Sequence, residues 1–306
     1  MILVTGGLGM IGANTAAALA DLGENVLITG HRRSEVPSFL ADRVAVETLD
    51  LTDTAAFLAL GDRYDIDGIV HLAGSIPEPD PMDFFRRDTA ALFNALNAAR
   101  QWRVRRFAVA SSISVYEGRS EIPYSEDLAL PLADIPHAIG AFKKALEPLV
   151  QFALADTNVQ PVLLRIGSTW GPLMDPESPF NPIPRTVSAL LRGERPPAMH
   201  ADDGGDFGYA RDTGRAIALL ATAPTLRHTA YNVGGGFRYT NRELADALNA
   251  ALPGQGIEVV NGRSTGPGED PYLDTSRLTT ETGFAPRFDL AGAITDYVAW
   301  RRKNPR

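Results

Sequence analysis

Short apolar runs and amphipathic stretches alternate along the first half of the chain. Runs rich in Val, Ile and Leu fall at residues 2–5, 25–29, 44–48, 68–72, 106–110 and 161–166, and each reads as a strand. Between them, residues 11–22, 54–60, 83–102 and 139–156 carry apolar positions at helical spacing. Strands that alternate with helices predict βαβ units and a parallel sheet. Near-continuous apolar strands fit a sheet covered on both faces. The pattern predicts an α/β fold, a doubly wound parallel sheet with ligands at the C-terminal strand ends. Pro148 falls within 139–156, where its missing N–H predicts a bend.

After residue 167 the texture changes. Gly171-Pro172, Pro176, Pro179, Pro182, Pro184 and Pro196-Pro197 punctuate the chain. Helical patterns remain at 186–191, 212–222, 241–252 and 290–301, with a short strand at 230–233 among them. A length of 306 residues allows about two lobes. Residues 1–167 read as the sheet domain, with a segment around 207–230 returning to it. Residues 168–306 read mainly as a smaller lobe packed over the sheet's ligand edge.

Composition removes whole classes of function. Hydrophobic residues make up 44% and charged residues 22%, which is ordinary for a globular chain. No apolar run approaches the ~18 residues of a membrane helix. The net charge of −8, without basic clusters, argues against nucleic acid and anionic membranes as partners. Cysteine is absent, which excludes disulfides, Cys-ligated zinc and thiol catalysis, and no metal site is expected. Ile2-Leu3-Val4-Thr5 opens the chain as a strand, leaving no room for a secretory signal before it, so a cytoplasmic protein is expected.

The candidate chemistry begins at Gly6-Gly7-Leu8-Gly9-Met10-Ile11-Gly12, between the first strand and the first helix. A tight turn needs a residue tolerant of positive φ, backbone approach to a pyrophosphate needs no Cβ, and helix–strand packing needs a small residue. The helix N-terminus then offers N–H groups and a positive dipole end to phosphates.

The spacing Gly-x-x-Gly-x-x-Gly resembles that of the extended short-chain dehydrogenase/reductases, the NAD(P)-dependent epimerase/dehydratase group. The resemblance runs over nearly the whole chain. Asp50-Leu51-Thr52-Asp53 is similar to the segment beside adenine, and His71-Leu72-Ala73-Gly74 to the strand end under the cofactor. Ser111-Ser112-Ile113-Ser114-Val115-Tyr116 resembles the family's serine strand. Arg165-Ile166-Gly167 and Trp170-Gly171-Pro172 resemble the step into the substrate lobe, and Tyr231-Asn232-Val233-Gly234 a later strand. The resemblance implies a Rossmann-type domain in which Gly6, Gly9, Met10, Ile11, Gly12, Asp50, Leu51, Leu72, Ala73, Gly74, Lys143 and Ile166 contact a nicotinamide dinucleotide.

NAD-binding members of that group carry an acidic residue at the end of the second strand. Here the strand ends in Gly30-His31-Arg32-Arg33, with no carboxylate. Arg32 and Arg33 stand where a 2′-phosphate would lie, and Arg binds phosphate in a bidentate manner. NADP(H) is the expected cofactor, with NAD(H) as the alternative.

The resemblance implies catalytic roles for Ser112 and Lys143. The family pairs that lysine with a tyrosine four residues earlier, on the same helical face. In this chain the position is Ile139, which has no exchangeable proton. Tyr116, Tyr124, His137 or a bound water are the substitutes on paper, and Ser112 alone could polarise a carbonyl. The Asp-Glu pair of the dehydratase branch is replaced by Ile113 and Ser114, which makes that elimination unexpected. The Asn and Arg that hold a sugar-nucleotide diphosphate are replaced by Ser168 and Gly205, the latter followed by Asp206-Phe207. Arg185, Arg192 and Arg211 are possible replacements.

The expected function is therefore an NADP(H)-dependent oxidoreductase. It reduces a ketone, or oxidises a secondary alcohol, of a small non-nucleotide substrate by a tyrosine-independent route. An epimerase that retains its cofactor is one alternative, and a non-catalytic dinucleotide-binding sensor or assembly protein is another. The family also implies a homodimer through helices 83–102 and 139–156, with Phe84, Leu92, Phe93, Leu96, Leu146, Leu149, Val150 and Phe152 as apolar surface.

Overall fold

Successive strand residues feed two different cores. Ile2, Val4, Val26, Ile28, Val70, Ala108, Val162 and Leu164 face one side of the sheet. Leu3, Leu27, Ile69, Phe107, Val109 and Leu163 face the other. Side chains alternate across a strand, so burial on both faces requires apolar residues at every position. This is why the strands read as unbroken apolar runs. The structure, a computed structural model, describes residues 1–31, 35–77, 80–178, 181–254, 256–264 and 270–304.

In chain order the first part comprises β1 (Ile2–Thr5), α1 (Met10–Asp21), β2 (Val26–Gly30), β3 (Ala45–Thr48), α2 (Thr54–Leu58), α3 (Leu60–Arg63), β4 (Gly68–His71), α4 (Pro81–Trp102), β5 (Arg106–Ser112), α5 (Ala138–Leu154) and β6 (Gln160–Ile166). The remainder comprises β7 (Ser168–Trp170), α6 (Pro182–Leu191), β8 (Met199–His200), β9 (Gly204–Gly205), β10 (Phe207–Tyr209), α7 (Ala210–Thr222), β11 (Ala230–Val233), β12 (Tyr239–Thr240), α8 (Asn241–Ala251), β13 (Val259–Val260), α9 (Ser276–Thr282) and α10 (Leu290–Lys303).

Seven strands form one parallel sheet in the order β11-β6-β5-β4-β1-β2-β3. The chain winds outward from β1 in one direction and from β4 in the other, so the switch point lies between these two strands. α1 and α7 pack together, and residues of both enter the first core. α4 and α5 supply the second core. A third core, with Trp170, Ile183, Tyr209, Leu244, Ile294 and Tyr297, belongs to the C-terminal elements. Among the described residues, no helix is long and apolar enough to cross a membrane.

Two local expectations change. The strand at 230–233, read as part of the smaller lobe, pairs with β6 at the edge of the main sheet. The helix expected at 54–60 is two short helices, the first capped by the Asp53 carboxylate on the Ala56 N–H at 3.0 Å.

Candidate active site

The glycine loop is packed too tightly for any side chain at Gly6, Gly7 and Gly12. Gly6 has φ +69, and a Cβ there would lie 2.8 Å from the Ala73 Cα. A Cβ on Gly12 would lie 2.2 Å from the Gly6 carbonyl oxygen. The loop is thus pressed against the end of β4 on one side and the first turn of α1 on the other. Gly9 is the N-cap of α1 and has no side chain to bond the turn. The N–H groups of Met10, Ile11 and Gly12 are left to a ligand, and anionic phosphate is the group that a helix N-terminus favours.

A cleft of about 850 Å³ opens from this loop. Gly6, Gly9, Asp50, Leu51, Leu72, Ala73 and Gly74 all line it. Asp50 Oδ1 accepts bonds from the Thr52 N–H at 2.9 Å and hydroxyl at 2.8 Å, which hold its carboxyl below the usual range. His31 Nε2 stands 3.9 Å from Asp50 Oδ2 and also lines the cleft. Arg32 and Arg33 lie outside the described residues. Ile166 does not line this cleft. It is buried at the end of β6, in register with Ser112 on β5. Length, an apolar wall and an uncapped helix end at the switch point suit an extended dinucleotide.

Lys143 on α5 reaches the strand that carries Ser112. His71 on β4 pairs with Val109, so Ala110 and Ser112 run on beside the 72–74 segment. The Lys143 ammonium donates to the Ala110 carbonyl at 2.6 Å. Burial pulls Lys143 down to about 8, and the Asp88 charge opposes that fall. Ser112 Oγ accepts the Ser114 N–H at 3.1 Å, which occupies a lone pair and leaves the hydroxyl hydrogen to donate. Ile139, one turn before Lys143, packs against the apolar core under α4 and α5.

Two of the substitute proton donors read from the sequence, Tyr116 and His137, are engaged elsewhere. Tyr116 is wholly buried, donates to Asn232 Oδ1 at 2.8 Å and accepts from Arg165 at 2.8 Å. Burial pushes its phenol up to about 12. Tyr124 is buried against it, with ring centroids 4.9 Å apart. His137 caps α5, its Nδ1 accepting the Gly140 N–H at 3.0 Å while Nε2 lies 2.9 Å from Glu117.

Sequence reasoning missed several groups. Asp88 on α4 is buried, lines the cleft and binds the Ser75 hydroxyl at 2.6 Å. Arg165 and Glu147 form a buried two-pronged pair, with contacts of 3.0 and 2.8 Å. Asp206 is buried and accepts the N–H groups of Gly235 at 2.9 Å and Leu273 at 3.0 Å, tying the end of β11 to the C-terminal part. In an amphipathic or loop pattern such carboxylates look like surface residues, and no local signal separates them.

A model of the NAD dependent epimerase/dehydratase family matches residues 2–234. The chain belongs to this family. It is 26% identical to a UDP-glucose 4-epimerase of Caenorhabditis elegans, over 100% of this chain and 98% of the relative. It is 28% identical to a dTDP-glucose 4,6-dehydratase of an Actinoplanes strain, over 99% of this chain and 98% of the relative. Its fold is that of the UDP-glucose 4-epimerase of Bifidobacterium longum solved with NAD+ and UDP, with a TM-score of 0.80 at 22% identity, covering 99% and 98% of the two chains.

As a member of the NAD dependent epimerase/dehydratase family, the chain departs from pattern on the substrate side. Ser168 Oγ accepts from Asn181, a buried residue that caps α6. Gly205 pairs with Tyr239, and a Cβ there would lie 3.1 Å from the Phe207 ring. Of the arginines read as possible anion ligands, Arg192 is paired with Glu194 at 2.7 Å and Arg211 with Asp296 at 3.0 Å. Arg185 is exposed and makes no ion pair among the described residues.

Proposed function

We propose that this chain is a nicotinamide-dependent enzyme acting at a secondary alcohol or ketone carbon of a small substrate. Its reaction is epimerisation with a retained cofactor, by a route that does not use tyrosine. The observation that carries this reading is the contact of Lys143 on α5 with the Ala110 carbonyl of β5, the strand that ends in Ser112, together with a glycine-loop cleft that ends at an uncapped helix. The bound cofactor would accept or supply hydride at the substrate carbon. Gly6, Gly9 and the first N–H groups of α1 would hold its pyrophosphate, and Asp50-Leu51 would flank its adenine end. Lys143 spends one N–H on Ala110 and has two more for ribose hydroxyls. The Ser112 hydroxyl would donate to the substrate oxygen, stabilising charge as the carbonyl forms or is reduced.

Net ketone reduction with NADPH is the second reading. It is supported by the carboxylate-free Gly30-His31-Arg32-Arg33 segment and by the loss of both diphosphate contacts at Ser168 and Gly205. Titration of the free protein with NADPH and NADH decides the cofactor form, and equal or NADH-favoured binding counts against the phosphorylated one. Denaturing the purified protein and quantifying released nucleotide decides the reaction type. One equivalent of retained cofactor, with interconversion of epimers in a sugar panel, is the expected result. Readily exchanged cofactor, with NADPH oxidation across a ketone panel, replaces it by the ketoreductase. Cofactor binding without turnover of either panel overturns the enzymatic reading in favour of a binding protein.

A further inference from the structure

Two side chains of α5, one turn apart, grip successive residues of β5. Lys143 donates to the Ala110 carbonyl at 2.6 Å, and Glu147 Oε1 accepts the Ser111 hydroxyl at 2.6 Å. Glu147 is itself clamped from β6, where Arg165 stands in register with Ser111. Arg165 Nε donates to Glu147 Oε1 at 3.0 Å, and Nη2 donates to Oε2 at 2.8 Å. Its remaining nitrogen, Nη1, donates to the Tyr116 hydroxyl at 2.8 Å and to the Glu126 carbonyl at 3.0 Å. Ser111, Glu147, Arg165 and Tyr116 are all buried. Ser112 is thus bracketed, because the residue before it and the turn after it, residues 113–116, belong to one hydrogen-bonded network.

The network stands where the strand pattern calls for apolar side chains. Val109 and Leu163 face the second core, and Ser111 and Arg165, two residues further along the same strands, share that face. A buried ion pair is a poor device for stability alone, because desolvation can exceed the attraction and apolar residues of similar volume serve as well. What it adds is direction. Phe142, Leu146, Val150 and Leu154 pack α5 on the sheet and resist its removal. Apolar burial is non-directional, so it defines the position of the helix along the strand less sharply. A two-pronged Arg–carboxylate pair adds geometric specificity. We propose that Glu147 and Arg165 are positioning residues: they set the register of α5 on β5 and of the turn after it, and so fix Lys143 against the strand end that carries Ser112. Neither lines the cleft, and neither takes a part in the reaction itself. The inference rests on the proposed function only for the use made of Lys143, the holding of a ribose.

The chain has three lysines, Lys143, Lys144 and Lys303, so single substitutions assign the Lys143 ¹³Cε resonance. Its shift in the full-length protein without cofactor reports the Ala110 contact, and titration with NADH and NADPH reports the ribose contact. S111A removes one hydroxyl and leaves the ion pair whole. E147D keeps the charge but is one methylene too short to span Ser111 and Arg165. Both should move the Lys143 resonance and weaken nucleotide binding, by about tenfold in E147D, the equivalent of one misplaced charge-assisted bond, and by less in S111A. L154A is the structural control, since Leu154 is buried two turns beyond Glu147 on the same helix and its truncation leaves the network intact. It should lower the melting temperature at least as far as S111A does, with resonance and affinity at wild-type values. An unmoved resonance in folded S111A and E147D overturns the proposal, and so does an L154A that moves resonance and affinity as far as E147D. If E147D does not fold, S111A decides alone. A moved resonance with unchanged affinity upholds the register and removes the ribose contact from the proposed function. If wild type binds neither nucleotide, the proposed function fails, and the resonance comparison still decides this inference.

Discussion

Thr5 Oγ and His71 Nδ1 lie 2.8 Å apart, in a buried bond between the last residues of β1 and β4. The two strands flank the switch point, and the Ala73 N–H reaches the same hydroxyl at 3.4 Å. The contact therefore ties the floor of the glycine loop to the segment that lines the cleft.

Burial, with a smaller effect from the Lys143 charge, lowers the His71 imidazole to about 3. The unfolded chain, with a value of about 6.5, takes up the proton first. Stability from this group is complete above about pH 6.5 and is lost as pH falls toward 3. His71→Gln should flatten that part of the pH dependence. Urea melts of wild type and variant across this window test it, and parallel curves would refute the assignment.

Gly12→Ala places a methyl 2.2 Å from the Gly6 carbonyl, so the backbone must shift. Overpacking of this kind costs about 1–3 kcal/mol. Thermal melts should show that loss, and isothermal titration should show cofactor binding weakened beyond detection. A variant that keeps cofactor affinity would mean that the loop does not hold the pyrophosphate.

Lys143→Met should separate stability from function. The folded-state value of about 8 lies below the unfolded value of about 10.4, so the folded protein binds the proton less well. The resulting penalty is present below about pH 8 and is relieved as pH rises toward 10.4. The variant should melt above wild type at neutral pH, and the gain should shrink at alkaline pH. Cofactor affinity should fall by roughly tenfold, for the loss of a charge-assisted bond. A variant less stable than wild type at neutral pH would contradict the burial argument.

Five of the eight apolar residues read as dimer surface, Phe84, Leu92, Leu96, Leu146 and Val150, are buried in the second core. Phe93, Leu149 and Phe152 remain exposed, Phe152 at 87%. If α4 and α5 pair with a second copy, light scattering gives twice 32.9 kDa, and Phe152→Asp together with Leu149→Asp returns the monomer mass. A wild-type mass of one chain would rule out this interface at the concentration used.

The alternation of strands and helices and the glycine loop were legible in the chain, whereas Ser112, Ile139 and Lys143 were singled out only by resemblance to the family. The alternation and the loop each depend on residues within one or two turns of one another. β5 runs to Ser112, two residues beyond the expected strand, because its pairing with β6 continues to Ile166. The same long-range pairing puts residues 230–233 on the main sheet, which a four-residue apolar run cannot announce. The roles of Tyr116, Asp88 and Glu147 were decided by tertiary structure alone. Tyr116, a substitute donor on paper, is closed in by Arg165 and Asn232, and Asp88, which no local pattern marks, is covered by Ser75 and the cleft wall. Periodicity is a local property and specifies which face of an element is apolar. Whether a polar group is buried, and what charge it meets there, depends on elements far away in sequence that only the folded chain brings together.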